Sequence, residues 1–326
     1  MIKRLAIENF KSIRSLELEC RRVSVFIGEP NTGKSNILEA LGLLSSMAYR
    51  GGEFSDFVRV DFVRPYQLFH NYDVGNVIKI AVDEQELIGR FDKLGGEASF
   101  IKGKDATARL TISSRGVSLE RLVSELSFIR FYRFKRDVAF RTDDRPFLLP
   151  PDGRNLPTVL ALNPPLRALV QELFEAFDQK LVLDEFQPSL MVMWEVKGDI
   201  RLLPYELVSD TLRRLIFHLA AVESNDDAVI TMEEPEAHAF PTYTKYLAER
   251  IAMDKRNQYF ITTHNPYFLL SLIEKTPVKE LAVYITYLAG YETRAKLLSE
   301  EELEELLDMT SDVFFNLDVF VPGEET

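Results

Sequence analysis

The segment GEPNTGKS, residues 28–35, constrains this chain more than any other stretch, because it fits the pattern G-x-x-x-x-G-K-[ST]. An apolar run with the character of a buried strand, residues 23–27, comes directly before it. From Asn36 onward the apolar residues recur at helical spacing. A strand, a glycine-rich loop and a helix in this order predict a phosphate-binding loop within an α/β sheet.

Each part of this loop has an expected task. Glycines at its two ends keep side chains away from a closely held phosphate, and the backbone N–H groups and the helix N-terminus point at the anion. Lys34 is expected to neutralise the β- and γ-phosphates, and the Ser35 hydroxyl is expected to ligate Mg²⁺. A glycine-rich turn with a chance lysine is the alternative. The residues predicted to bind the nucleotide are Gly28, Glu29, Pro30, Asn31, Thr32, Gly33, Lys34, Ser35 and Asn36.

A second apolar run, residues 228–232, ends in two adjacent carboxylates, Glu233 and Glu234, followed by Pro235. In open α/β sheets, ligands bind at the carboxyl ends of the strands. A nucleotide hydrolase with a phosphate-binding loop needs one carboxylate near Mg²⁺ and another to activate water. Glu233 is therefore predicted to hold the metal, through a water molecule, and Glu234 to act as general base or to orient water. The alternative is that the strand surfaces here and both acids are solvated.

The composition narrows the remaining classes of protein. The chain has 326 residues, of which 46% are hydrophobic and 28% charged, an ordinary globular balance. The net charge of −12 argues against a protein that coats nucleic acid along its surface. The single cysteine, Cys20, excludes an internal disulfide and a multi-cysteine zinc site. Neither a signal peptide nor a membrane-spanning run is expected, and the chain is predicted to be cytoplasmic.

The pattern of apolar residues predicts an α/β fold with a discontinuous core. Residues 1–50 and 201–326 are expected to form the nucleotide-binding core, and residues 51–200 an inserted lobe rich in short strands with some helix. Two short antiparallel strands are expected ahead of the strand at 23–27. The helices predicted beyond the insert lie at residues 212–222, 242–253 and 299–308.

Several segments in a fixed order resemble the ABC-type P-loop ATPases of the RecF, structural-maintenance-of-chromosomes (SMC) and OLD group. The resemblance is strongest to compact stand-alone RecF-like AAA ATPases without a coiled coil. It implies an SMC-head-like core sheet flanked by helices, with an antiparallel β lobe and an inserted lobe, and ATP and Mg²⁺ as ligands. The segments are IKRLAIENFKSIRSLELE and VFIGEPNTGKSNILEAL near the start, FLLPPDGRNLPTVL (147–160), AVITMEEPEAHAFP and FITTHNPYFLL (260–270).

The resemblance also implies roles for single residues. His264 would sense the γ-phosphate, and Gln67 would contact Mg²⁺ as the Q-loop glutamine. Glu233 stands where the family usually has aspartate. Ser209 would match the signature serine that binds the partner subunit's ATP, but the family's glycine is missing because Asp210 is followed by Thr211. Alternatively, Ser209 is a plain helix N-cap and His264 a structural polar residue.

A basic and aromatic stretch at residues 130–145 has two interpretations. Arginines and lysines interleaved with aromatic residues can form a groove for single-stranded nucleic acid. The same pattern is typical of an antiparallel strand with aromatic residues inside and arginines outside. The basic residues are Arg130, Arg133, Lys135, Arg136, Arg141 and Arg145.

The sequence thus favours Mg²⁺-dependent hydrolysis of ATP by an ATP-gated homodimer. The dimer would act on DNA or on a partner protein in repair, genome maintenance or defence. The alternative is a low-turnover ATP-binding regulatory module that controls a separate effector protein. An attached nuclease is not expected after His264, and no heptad run indicates a coiled coil.

Overall fold

The structure is a computed structural model and describes residues 1–49, 51–102, 108–184 and 187–321. It contains sixteen strands and eight α-helices in these residues. The strands are β1 (Arg4–Phe10), β2 (Ile13–Glu19), β3 (Val23–Gly28), β4 (Ile78–Val82), β5 (Gln85–Asp92), β6 (Glu97–Lys102), β7 (Arg109–Ser113), β8 (Gly116–Leu119), β9 (Ile129–Tyr132), β10 (Gln179–Leu183), β11 (Leu190–Val196), β12 (Asp199–Pro204), β13 (Val229–Glu233), β14 (Gln258–Thr262), β15 (Leu281–Ala289) and β16 (Glu292–Leu297).

The helices cover both faces of the central sheet. Short 3₁₀ turns lie between them, at Pro65–Leu68, His70–Tyr72, Ser124–Leu126, Tyr205–Leu207, Val278–Glu280, Thr310–Phe315 and Leu317–Phe320. The helices are α1 (Lys34–Ala48), α2 (Phe54–Phe57), α3 (Leu156–Leu162), α4 (Pro164–Glu175), α5 (Asp210–Glu223), α6 (Pro241–Met253), α7 (Pro266–Lys275) and α8 (Glu300–Met309).

The central sheet has six strands in the order β16-β15-β3-β14-β13-β9. β15, β3, β14, β13 and β9 run parallel, and β16 is antiparallel to β15. β15 and β16 form a hairpin, and β13 and β14 are joined through α6, whereas β3 pairs with β14 and β15, and β9 with β13, across long stretches of sequence. Because the five strands are parallel, their carboxyl ends meet at one edge, which is where such sheets bind ligands.

A second, antiparallel sheet of seven strands covers one face of this core, in the order β2-β1-β4-β5-β6-β7-β8. Helix α1 lies between the two sheets, and its apolar residues share one buried cluster with residues of both. Phe26 on β3 stacks on Phe260 and Tyr284 of the neighbouring strands on this face. Burial of these side chains is the main favourable term that fixes α1 against the sheets.

The other face of the central sheet packs against α3 to α8 and a three-stranded antiparallel sheet, β10-β11-β12. Val25 and Ile27 of β3 point to this side, while Phe26 points to α1. The sequence of a strand that is buried on both faces is a continuous apolar run. Residues 23–27 have this pattern. No helix in the described part of the chain is both long and apolar enough to cross a membrane.

Most predicted elements are present, including the β1–β2 hairpin and the helices at 210–223, 241–253 and 300–309. The interpretation of residues 130–145 as an antiparallel strand was wrong, because the strand in this stretch, β9, pairs in parallel with β13. Strand β9 also lies inside the range expected to form the insert, yet it belongs to the central sheet. Likewise β1, from the predicted core, pairs with β4 from the predicted insert. The two predicted ranges therefore share both large sheets.

The DGRNL stretch, residues 152–156, supports the end of β9. The fully buried Asn155 accepts a hydrogen bond from the N–H of Leu149 (2.8 Å) and donates one to the carbonyl of Phe147 (3.0 Å). Just before the stretch, the Pro151 carbonyl accepts a hydrogen bond from the N–H of Arg133 at 2.9 Å. Buried backbone groups without a ladder partner need such substitutes. The motif thus has a structural role: it holds the chain beside the carboxyl edge of the central sheet.

Candidate active site at the carboxyl edge of the central sheet

The loop between β3 and α1 wraps the start of the helix, as the sequence predicts. Thr32 is buried, and its hydroxyl donates to the carbonyl of Glu29 (2.8 Å) and lies 2.7 Å from the hydroxyl of Thr286 on β15. The helix starts at Lys34, and Gly33 precedes it in the left-handed region with φ 94°. The loop is thereby held against the next strand of the sheet, with the amino end of α1 facing the site edge.

The two glycines of the loop are required by the protein itself. A Cβ at Gly28 would lie 2.3 Å from the carbonyl oxygen of Thr286, and one at Gly33 would lie 2.0 Å from the hydroxyl oxygen of Thr293. Contacts this short are sterically forbidden, so a side chain at either position would displace the β15–β16 hairpin. Glycine is thus needed at both positions for two reasons: it leaves space for phosphate, and it lets the β15–β16 hairpin pack closely against the loop.

Lys34 lies folded back along the loop and is mostly buried. Its ammonium group donates to the carbonyls of Gly28 (2.9 Å) and Glu29 (2.7 Å). Burial lowers the pKa of Lys34 to about 8, although the charges of Glu234 and Glu29 oppose the shift. A lysine that is costly to charge in the free protein gains most from a nearby polyanion.

Ser35 and Glu233 meet across the gap between α1 and β13. The Ser35 hydroxyl donates to Glu233 Oε1 at 2.5 Å, although 198 residues separate the two in the sequence. The sequence predicts both as metal residues, and the structure brings them together. Among the described residues no cluster of three or more histidine, cysteine or acidic side chains could hold a metal. A hydroxyl and a carboxylate fit Mg²⁺, which is usually held by one or two protein groups together with substrate phosphates.

Two arginines bind the second oxygen of Glu233, which the sequence analysis missed. Arg59 and Arg133 lie 2.8 and 3.0 Å from Glu233 Oε2. Burial opposes ionisation of Glu233, but the Ser35 hydroxyl and the two arginines outweigh it and lower the pKa of Glu233. Glu233 is therefore a carboxylate with one oxygen committed to the arginines and the other directed at Ser35.

Glu234 and His264 form the second pair at this edge. Glu234 Oε1 lies 3.5 Å from His264 Nε2, and both side chains are partly exposed, at 44% and 38%. Water can therefore reach the pair. Glu234 has φ 44°, in the left-handed region that an L-residue seldom adopts, and its N–H donates to the carbonyl of Thr262 at 3.0 Å. Strain held in place by the surroundings is typical of functional turns.

A buried carboxyl connects the two loops that carry this pair. Thr263 donates to Glu236 Oε1 at 2.5 Å, and the N–H of Asn265 donates to the Thr263 hydroxyl at 3.0 Å. Burial raises the pKa of Glu236 to about 7, against the opposing hydrogen bond from Thr263. Burial also lowers the pKa of His264, helped by the charge of Lys34 and opposed by that of Glu234. The lowered pKa favours the neutral imidazole form of His264.

A cavity of about 720 Å³ adjoins the amino end of α1. Its size suits a nucleoside, because ligand pockets of drug size span roughly 300–1,000 Å³. The Asn36 amide donates to the Ser12 hydroxyl at 2.6 Å, which joins the β1–β2 turn to α1 at the cavity wall. Gln67 lies in this wall, and the contacts of the described residues do not bring it to Ser35 or Glu233. The residues that line the cavity include Lys11, Ser12, Asn36, Arg59, Gln67 and Tyr291.

Two protein families match the chain. The family described as "AAA ATPase domain" matches residues 1–142. The family described as "AAA domain, putative AbiEii toxin, Type IV TA system" matches residues 97–271, more than half of the chain. The chain belongs to this second family of AAA domain proteins. A stretch of 62 residues is 37% identical to the DNA replication and repair protein RecF of Caldanaerobacter subterraneus subsp. tengcongensis, and it spans 18% of this chain and 17% of that protein.

Solved structures place this AAA domain protein in the fold of SMC heads. An Smc head bound to the C-terminal winged-helix domain of ScpA superposes with a TM-score of 0.51 at 17% identity, covering 92% of this chain and 99% of that one. An Smc head with an extended coiled coil, bound to the C-terminal domain of ScpA from Pyrococcus furiosus, gives a TM-score of 0.52 at 14% identity, covering 94% and 98%. The predicted resemblance to RecF/SMC-like P-loop ATPases is confirmed.

In this AAA domain protein, Ser209 is the N-cap of α5. Its hydroxyl accepts a hydrogen bond from the N–H of Leu212 at 3.4 Å. The next threonine, Thr211, donates to the carbonyl of His238 at 2.8 Å, so the Ser209 segment is joined to the turn that follows Glu234. The N-cap role is present in the structure, and a role for Ser209 toward a partner's nucleotide stays a prediction.

The basic stretch of this AAA domain protein makes contacts with acids and aromatic rings of the same chain. Arg130 stacks on Phe147, with 3.6 Å from the guanidinium carbon to the ring centroid. Lys135 pairs with Asp56 at 3.0 Å, and Arg133 pairs with Glu233. Arg133 and Lys135 are thus engaged in ion pairs, while Arg136 is exposed.

Proposed function

We propose that this chain binds ATP with Mg²⁺ and hydrolyses it to ADP and phosphate. The observation that carries the proposal is the meeting of Lys34, Ser35, Glu233, Glu234 and His264 at one edge of the central sheet. These residues come from three separate strand ends, and each has a chemistry that phosphoryl transfer to water uses.

The residues divide the work by position. Lys34 neutralises the phosphate oxygens, and the amino end of α1 orients them. Ser35 and Glu233 would hold Mg²⁺, which would supply positive charge to stabilise the phosphoryl group during transfer. Glu234, which is reachable by water, accepts the proton of the attacking water. His264, 3.5 Å from Glu234, orients that water and contacts the γ-phosphate. The nucleoside lies in the cavity next to Asn36.

We further propose that turnover depends on ATP-driven pairing of two copies. Leu207 and Phe240 are large apolar residues that are 68% and 65% exposed. Leu207 precedes Ser209 by two residues, and Phe240 follows His238 by two, so the Thr211–His238 hydrogen bond joins the segments that carry them. Exposed apolar side chains around polar groups are typical of interfaces. The names of the matched relatives, a repair protein and a toxin family, support DNA or an effector protein as the partner.

A low-turnover regulatory module is the second candidate. It is favoured by Ser209, whose hydroxyl is used within its own helix, and by the arginines that occupy one oxygen of Glu233. Steady-state release of phosphate, with solution mass measured with and without ATP, separates the two candidates. Mg²⁺-dependent turnover together with a mass that doubles on ATP supports the first. Binding without turnover, at constant mass, supports the second.

Nucleotide affinity is expected to fall as the pH rises through the pKa of Lys34, which is about 8. Phosphate binds the charged lysine, so the affinity is complete below this pKa and declines above it, by about tenfold between about pH 7 and pH 9. Titration of a fluorescent ATP analogue at several pH values measures this decline. The Lys34→Arg variant, whatever its absolute affinity, keeps its charge and should show no such decline. An equal decline in both proteins would assign the pH dependence to another group.

A further inference from the structure

Arg133 is at the end of β9, directly beside the end of β13. In the parallel register of the two strands Tyr132 lies opposite Met232, so the next residues, Arg133 and Glu233, are neighbours at the site edge. The guanidinium Nη2 lies 3.0 Å from Glu233 Oε2. None of the steps proposed above uses this contact, although it involves the carboxylate assigned to the metal.

The structure holds Arg133 from several sides. Its N–H donates to the carbonyl of Pro151 at 2.9 Å, and Nη1 donates to the carbonyl of Ser55 at 3.2 Å. The guanidinium lies over the ring of Phe131, 5.0 Å from its centroid. The side chain is 18% exposed, against 58% for Arg59, the other arginine on Glu233. Arg133 is thus the more buried and more extensively contacted of the two arginines on Glu233.

Glu39 explains why Arg133 stays in place. This glutamate of α1 is 1% exposed, and Arg133 Nη2 lies 3.4 Å from its Oε1. Lys11 forms a second ion pair with it, and Arg59 approaches at 3.6 Å. A buried carboxylate is strongly destabilising without partners. The guanidinium of Arg133 therefore contacts two carboxylates, those of Glu233 and Glu39. If Arg133 rotated away from Glu233, its ion pair with Glu39 would weaken as well, and the buried negative charge of Glu39 would be less well neutralised.

We propose that Arg133, anchored by Glu39, is a positioning residue that holds Glu233 Oε2 and so keeps Oε1 directed at Ser35 for the metal. The inference rests on the proposed function. It also explains the glutamate at position 233: aspartate is shorter by one methylene, roughly 1.5 Å, and could not reach both Ser35 and Arg133. We therefore expect Arg133 and Glu233 to depend on each other for their positions.

The test is a titration with Mg²⁺ of the purified full chain at fixed ATP analogue, with nucleotide affinity and phosphate release both measured. For Arg133→Met we expect the Mg²⁺ concentration at half-saturation to rise by about tenfold or more, as is typical when a group behind a metal ligand is lost. Affinity for the analogue in EDTA should stay within about twofold, because Arg133 acts through the metal carboxylate. The matched control is Lys135→Met, which removes a basic residue two positions away whose partner is Asp56.

Conservative variants keep the test decisive if Arg133→Met does not fold. Arg133→Lys retains the charge and should recover part of the Mg²⁺ affinity. Glu233→Asp, which restores the acid usual in the family, should also raise the Mg²⁺ requirement. Combining Glu233→Asp with Arg133→Met should add little to either single change, since coupled residues are not additive.

The possible results separate the positioning role of Arg133 from the proposed function. A wild-type protein with Mg²⁺-dependent binding and an Arg133→Met variant with unchanged Mg²⁺ half-saturation would overturn the positioning role and leave the proposed function standing. Equal losses with EDTA and with Mg²⁺ would reduce Arg133 to a structural residue. Absence of nucleotide binding by the wild-type protein would overturn both proposals. A gain of Mg²⁺ affinity in Glu233→Asp would contradict the fit of glutamate to the arginine.

Discussion

Glu234→Gln is expected to lower ATP turnover by about 10²- to 10⁴-fold, the usual effect of losing a positioned general base. Glutamine keeps the size of the side chain and its place 3.5 Å from His264, but it cannot accept a proton from water. Affinity for ATP should stay within about threefold, because the phosphates are held by the loop at 28–35 and not by Glu234. Phosphate release and binding of a fluorescent ATP analogue measure the two quantities.

The control for this variant is Glu304→Gln, an exposed acid on α8 that is remote in sequence from every predicted site residue. It should match the wild-type protein in both assays. If ATP gates dimerisation, Glu234→Gln with ATP should also accumulate as a dimer in measurements of solution mass. Turnover by Glu234→Gln at the wild-type rate would remove Glu234 from the mechanism.

Lys34→Met is expected to weaken nucleotide binding by about 10²-fold, since about 3 kcal/mol of charge-assisted hydrogen bonding to phosphate is lost. Methionine has a similar length and no charge, so the buried position stays filled. Isothermal titration with ATP and Mg²⁺ gives the affinity. Lys275→Met, at the exposed end of α7, is the matched control and should bind as the wild-type protein does.

Thermal unfolding separates this effect from misfolding. Burial disfavours the charged form of Lys34 and lowers its pKa, so an apolar residue of the same size removes an unfavourable charge. The substitution also removes the hydrogen bonds from Lys34 to the carbonyls of Gly28 and Glu29, so the two effects oppose each other and the unfolding temperature without nucleotide should stay close to that of the wild-type protein. Wild-type affinity in Lys34→Met would mean that ATP does not bind at this loop.

The features that sequence alone predicted are those with local causes. The strand, loop and helix around residues 23–44 follow from the spacing of apolar residues and from two glycines. The carboxylates at 233 and 234 stand out because a buried run ends in them. In each case the signal lies within about ten consecutive residues, where spacing reports directly on backbone geometry.

The features that sequence missed depend on long-range neighbours. The interleaved aromatic and basic residues at 130–145 indicate which side chains are buried, but not the direction of the neighbouring strand. The pattern therefore favoured an antiparallel strand with Arg133 on its outer side. Glu39 is a similar case, because it falls outside the face defined by Ile37, Leu38, Leu41 and Leu44, yet it is buried by Lys11, Arg59 and Arg133.

Helix α1 has almost no surface toward water, because most of its residues from Lys34 to Met47 are buried between the two large sheets. A close-packed surrounding resists displacement, since a shift of the helix would open a void on one side and a clash on the other. We therefore expect the amino end of α1 to keep its position when nucleotide binds. Any change of shape that accompanies nucleotide binding would then be sought in the more exposed parts of the site edge, around Arg59, Glu234 and His264.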